Sequence, residues 1–189
     1  MSATDVGSVV WDIEPLLDGR SVDELLDEAA ARAEALGAVK GTLATIEAPA
    51  LAAALEEMAA ITELVGRGIG YASLRFAADT ADAANGALMQ KASEKAAKVS
   101  TRLVWFSVEW AAVPDEQVDA LLAADGMDHC RHYLEVVRSR RDYMLSEPEE
   151  RIMTERDVTG RTAWSRLFGE LTAAIRVDLD GQDMASEAP

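Results

Sequence analysis

Cysteine is almost absent from this 189-residue chain: Cys130 stands alone, so no internal disulfide forms and nothing points to an oxidising compartment. Positive charge is scarce too, with 18 Lys and Arg against 34 Asp and Glu and a formal charge of −16. That balance argues against nucleic acid or an anionic membrane as a main partner, because both need clustered cations. No apolar run reaches the roughly 18 residues that span a bilayer. The start, Met1-Ser2-Ala3-Thr4-Asp5, has neither the basic nor the apolar region of a signal peptide. The expected location is therefore cytoplasmic. Histidine occurs only at His129 and His132, and H-E-x-x-H, Walker A, G-x-S-x-G and EF-hand motifs are all missing.

What remains is an ordinary globular balance, 49% apolar and 28% charged, rich in alanine and poor in β-branched runs. Helix is favoured throughout. Residues 1–20 read as an extended arm that packs through Trp11. Ser21 and Glu24 have the form of a capping box, opening a helix that Gly37 and Gly41 bend or end near Thr45. Pro49 suits the first turn of a long second helix, whose apolar stripe runs from Leu51 to Phe76. Gly66, Gly68 and Gly70 interrupt that helix and suggest close backbone packing; a phosphate cradle is the sharper reading, but the spacing is wrong and no strand precedes it. A third helix carries Leu88 to Trp110 and ends at Pro114, with Val104, Trp105 and Val108 adding a second apolar face.

Shorter helices follow over 115–124, 127–144, 146–156 and 163–174. Ser146 and Glu149 form a second capping box, and Trp164, Leu167, Phe168 and Leu171 are apolar on the last helix. Residues 175–179 then alternate like a strand before Asp180-Gly181, a hairpin signal. The expected fold is mainly all-α: an antiparallel bundle of long helices with a short C-terminal β-hairpin. Its parts are an arm over 1–20, a helical domain over 21–174 and the hairpin over 175–189.

Asp128-His129-Cys130-Arg131-His132 gathers three soft ligands and invites zinc. On a helix, however, His129 and His132 share a face that Cys130 leaves, so a buried thiol with surface imidazoles is the plainer reading. A Cys–His catalytic pair fails for the same reason. No catalytic or metal residue is assigned. Arg131, Arg138, Arg140 and Arg141 form a basic cluster with enough neighbouring acids to pair with it.

One stretch is distinctive. Residues 133–152, centred on Leu145-Ser146-Glu147-Pro148-Glu149-Glu150, and residues 159–168, with Ala163-Trp164, resemble the N-terminal region of the oligoendopeptidase F family, zinc metallopeptidases related to thimet oligopeptidase. Trp11-Asp12-Ile13, Tyr71-Ala72-Ser73-Leu74 and Asp79-Thr80 keep the same order upstream. Family members often carry a histidine just before the Leu-Ser, where this chain has Tyr143. The resemblance implies a fuller enzyme that cleaves oligopeptides with zinc held by H-E-x-x-H and a downstream glutamate, and none of those groups lies here. This chain would then carry no cofactor of its own and would form one wall of the substrate cleft, with a catalytic domain following the hairpin. Tyr71, Arg75 and Tyr143 are the candidates for touching substrate. An apolar face that the catalytic domain would cover, or that pairs two copies, is expected to include Trp105 or Trp110. The alternative is a self-contained helical module that grips a peptide or partner helix in an apolar groove. A third is a small metalloenzyme built on His129 and His132.

Overall fold

The computed structural model describes residues 11–179 and 181–185. The expected arm lies partly outside them, as do Asp180 of the hairpin turn and the last four residues. Within them the chain builds seven α-helices and one two-stranded sheet.

Helix α1 (Val22–Leu36) opens as its sequence dictates. Glu24 N donates to Ser21 Oγ at 3.2 Å and Ser21 N donates to the Glu24 carboxylate at 2.7 Å. It stops at Leu36, earlier than the glycines suggest, and single 3-10 turns at Gly37–Val39 and Leu43–Thr45 carry the chain over the end of the bundle. Helix α2 (Ala48–Ala78) and helix α3 (Ala83–Ala112) then run the length of the molecule. Asp82 caps α3, accepting from Ala84 N at 2.8 Å. Buried Asn85 donates to Asp79 O at 3.2 Å and so ties the α2–α3 turn to the start of α3.

Two reversals leave α1 and α3 parallel, and their ion pairs record the register. Asp23 meets Lys91, Asp27 meets Lys95 and Glu34 meets Arg102, each pair separated by 68 residues. The same offset brings Gly41 N to Glu109, at 2.8 Å. Across the antiparallel α1–α2 face, Arg32 forks onto Glu57 at 2.6 and 2.7 Å. Between these polar seams lies one apolar core, with Leu25, Leu51, Ile61 and Phe106 fully enclosed. Gly68 alone of the three α2 glycines makes a close approach: a Cβ there would stand 3.2 Å from Leu26 Cγ, whereas Gly66 and Gly70 meet nothing within 4 Å.

Helices α4 (Asp115–Leu122) and α5 (Asp128–Ser139) close one end of this core through Val118, Leu121, Cys130 and Leu134. Helix α5 ends well before residue 144 and gives way to a 3-10 turn at Arg141–Tyr143. Helices α6 (Glu147–Asp157) and α7 (Arg161–Ala173) follow, and neither has a buried residue. Strands β1 (Arg176–Leu179) and β2 (Gln182–Ala185) pair antiparallel, Arg176 opposite Ala185 and Leu179 opposite Gln182. The mainly helical antiparallel bundle with a short terminal hairpin is thus the observed fold. Among the described residues, no helix is long and apolar enough to cross a membrane.

The start of the described chain departs from expectation. Trp11 is exposed and does not anchor the arm. Buried Leu17, with Ile13 and Leu16, packs on the core instead, around a 3-10 turn at Glu14–Leu16. The aliphatic side chains within the turn face α2, whereas the indole before it meets no cover among the described residues.

Candidate functional site

The bundle positions its large polar side chains in three ways. Tyr71 is buried on α2; its hydroxyl donates to Glu14 Oε1 at 2.7 Å and accepts from Arg75 Nη1 at 3.4 Å. Arg75 Nε also reaches Asn85 Oδ1 at 3.4 Å. These two candidate substrate contacts are therefore brought together, but in a network that fastens the amino-terminal turn and the α2–α3 loop. Tyr143, the third candidate, is not part of that network; it stands in the 3-10 turn after α5 and is exposed.

Trp105 and Trp110 require a correction. Trp105 is 4% and Trp110 0% exposed, so neither belongs to an open face. Trp105 meets the Phe106 ring edge-on at 5.8 Å, and Trp110 Nε1 donates to Leu134 O at 3.0 Å. The doubled apolar face of α3 is consumed inside the chain, because α1, α2, α5 and α6 all pack against α3. Arg138 completes that junction, donating to Trp110 O at 3.1 Å, to Val113 O at 2.7 Å and to Asp115. The arginine holds the Asp115 carboxyl below its ordinary range.

The open apolar face lies instead on α6, α7 and β1. Trp164 is 71%, Phe168 69% and Leu171 61% exposed, with Ile152, Met153 and Ile175 also in solvent. Their spacing on α7 puts Trp164, Phe168 and Leu171 on one stripe. A cluster of this kind is uncommon on a finished surface. It is lodged on the bundle mainly by a polar latch: Arg166 lies over the Phe76 ring at 5.6 Å and donates to Gln90 Oε1 at 3.2 Å. Sequence reading named the α7 residues as apolar but left their orientation open; the stripe itself, following directly on the family-like motif, was the available signal.

Metal chemistry finds no holder. His129 and His132 are both exposed, while Cys130 is buried, its Sγ donating to Met127 O at 3.3 Å. Burial pushes the Cys130 thiol up, away from the thiolate that would bind a cation. Among the described residues, no three His, Cys, Asp or Glu side chains could hold a metal ion together. The described residues therefore offer no set that fits the zinc which the resemblance implies for a fuller enzyme.

Comparison with known proteins agrees with the helical architecture. Residues 109–176 match the family model described as Oligopeptidase F. No curated protein matches significantly. Among solved structures, the crystal structure of oligoendopeptidase-F from Enterococcus faecium superposes with a TM-score of 0.72 at 23% identity, over 87% of this chain and 33% of that one. The chain thus spans about a third of the length of the solved enzyme it matches. The family segment takes in the end of α3, all of α4 to α7 and the first residue of β1. The likeness to the oligopeptidase F family is thus carried in sequence by residues 109–176, and the likeness to the solved structure, at 23% identity, is one of fold.

Proposed function

We propose that this chain is the non-catalytic N-terminal portion of an oligoendopeptidase F-like zinc metallopeptidase, forming a wall of the cleft that admits oligopeptides. The observation that carries the reading is the apolar stripe of Trp164, Phe168 and Leu171, exposed within the segment that matches the family. Its natural cover is the remainder of a larger peptidase, since the fold accounts for about a third of one. Hydrolysis of internal peptide bonds then belongs to that remainder, together with its zinc. Of the candidate substrate contacts, Tyr143 is free to meet a peptide, while Tyr71 and Arg75 act through the shape of the bundle. A cytosolic location fits the single buried thiol.

Two measurements test this. With zinc present, the purified chain leaves a quenched fluorogenic oligopeptide intact; cleavage by clean material overturns the division of labour. The H-E-x-x-H-bearing portion of an oligoendopeptidase F, added in trans, shifts the tryptophan emission to the blue as Trp164 is covered. An unchanged spectrum, or a shift that survives Phe168→Glu, counts against the docking face.

The second reading, a self-contained module that grips a partner helix, draws on the hairpin: β1 pairs with β2 inside the chain. A shallow cleft of about 330 Å³ between α7 and Phe76 and Met89 offers it a groove. Binding of an amphipathic helical peptide, with no response to the catalytic portion, would favour it. Pairing of two copies through the same stripe is the third occupant, read by sedimentation.

A further inference from the structure

We propose that the cleft where α6 packs on α3, beside the end of α1, is a ligand site that takes a short zwitterionic peptide lengthwise, its carboxylate toward Trp105 and its ammonium toward Glu94. The cleft holds about 870 Å³, a volume ordinary for a small-molecule site. The observation that points to a ligand lies in its wall. Trp105 lines the cleft and is 4% exposed, yet its Nε1–H is buried without an acceptor. Trp110 on the same helix shows the usual outcome, donating to Leu134 O at 3.0 Å. A buried indole N–H normally finds such a partner, because burial removes the water that would otherwise accept from it. Among the described residues, Trp105 Nε1 is the one buried side-chain polar atom left unsatisfied.

The surrounding charges select the kind of ligand. Lys40 pairs with Glu147 and Arg102 with Glu34, so those four are spent on each other. Lys98, Arg151, Glu94 and Glu155 also line the cleft and make no ion pair among the described residues; Glu94 accepts only from Gln90. These two cations and two carboxylates balance, in a chain whose formal charge is −16. A simple anion or cation therefore meets no net field, whereas a molecule with one charge of each sign meets a partner for both. Helix α3 sets the length. Glu94 and Trp105 lie about 16 Å apart along its axis at about 1.5 Å per residue. An extended peptide of about five residues covers that span. The polarity follows from the run of α6. Lys40 adjoins the Gly41–Glu109 contact, so its bond to Glu147 puts the start of α6 at the Trp105 end. Arg166 of α7 reaches Gln90 toward the other end. Helix α6 thus runs antiparallel to α3, which places Arg151 nearer Trp105 and Glu155 nearer Glu94. The orphan donor and Arg151 then take the carboxylate, and the two glutamates take the ammonium. This inference stands apart from the peptidase reading, because it concerns binding by this chain alone and uses no catalytic group.

Pentaalanine with free termini, titrated into the isotope-labelled chain and followed by NMR, tests it. The Trp105 indole N–H resonance moves downfield and saturates with a dissociation constant at or below about 1 mM. End-blocked pentaalanine, acetylated and amidated, leaves that resonance in place up to about 10 mM, as does alanine itself. Arg151→Glu, a reversal at an exposed position, weakens pentaalanine about tenfold. An indole resonance that pentaalanine does not move overturns the proposal, and this arm rests on the parent chain alone. An equal response to the blocked peptide removes the zwitterion, and an equal response to alanine removes the lengthwise fit; either overturns it. So does an Arg151→Glu chain that binds pentaalanine like the parent.

Discussion

Replacing the α2 glycines one at a time separates helix propensity from packing within a single helix. Glycine in a helix interior is about 1 kcal/mol less favourable than alanine. At Gly66 and Gly70 a Cβ meets nothing within 4 Å, so Gly66→Ala and Gly70→Ala each stabilise by about 0.5–1 kcal/mol. At Gly68 the new methyl falls 3.2 Å from Leu26 Cγ and 3.3 Å from Cδ2. Leu26 is 1% exposed and has no solvent to retreat into, so the methyl must be absorbed by the α1–α2 contact. Overpacking of this kind costs about 1–3 kcal/mol, which outweighs the propensity gain and leaves Gly68→Ala neutral to about 2 kcal/mol destabilised. Urea unfolding followed at 222 nm resolves the difference, because about 1 kcal/mol moves the midpoint by about 0.3–1 M at the usual slopes. If Gly68→Ala stabilises as much as Gly66→Ala, the close approach of α1 to α2 is refuted. If the two open positions destabilise instead, the continuous path of α2 through residues 66–70 is wrong.

Other substitutions probe the polar seams and the open face. Glu109 accepts from Gly41 N at 2.8 Å and Leu43 N at 2.7 Å, so Glu109→Ala strands two loop amides and lowers unfolding free energy by about 2 kcal/mol in urea. The Arg32 guanidinium holds the Glu57 carboxyl below its ordinary range, as Lys91 and Lys95 hold Asp23. A carboxyl lowered by folding contributes stability that is full above its unfolded value near about pH 4 and is lost as pH falls through the folded value. Urea midpoints measured against pH therefore decline on the acid side, and Glu57→Gln, weaker at neutral pH, converges with the parent chain there; parallel curves would contradict the linkage. Trp164→Glu with Phe168→Glu leaves the thermal transition of the bundle in place, because α7 contributes no buried side chain, while it abolishes any concentration-dependent sedimentation.

The bundle was legible wherever a local signal and a tertiary one coincide. The Ser21–Glu24 box, Pro49 in a first turn and Pro114 after α3 act through neighbouring backbone, and each marks an observed helix limit closely. The three glycines show where local pattern stops: their spacing reports cost, but only the α1 partner decides which of them needs to be glycine. Tryptophan misled in both directions. Trp105 and Trp110 gave α3 the look of a helix awaiting cover, and Trp11 the look of an anchor. Periodicity says that a face is apolar and not what covers it, and that information lies in α5, whose Leu134 carbonyl and Arg138 close over Trp110. The most specific part of the resemblance, within residues 133–168, falls inside the matched segment, while Trp11-Asp12-Ile13, Tyr71-Ala72-Ser73-Leu74 and Asp79-Thr80 lie outside it.

The same limit explains why the open face could be anticipated in kind and misplaced in position. Two helices here carry dense apolar stripes near tryptophan, α3 and α7, and by sequence they are interchangeable candidates for burial. What separates them is order along the chain. Helix α3 packs against α1, α2, α5 and α6, whereas the described elements next to α7 in sequence are α6 and a two-stranded hairpin. A hairpin of that size is marginal by itself and covers little. The buried core accordingly runs from Leu17 to Leu134, and among the described residues beyond it there are ion pairs and latches but no enclosed side chain. Segments with few buried contacts open at a small fraction of the global free energy. An apolar stripe carried on such a segment adds little to the bundle's own stability, which is why the proposed cover by a further part of a peptidase is tested at Trp164 and Phe168 and not in the core.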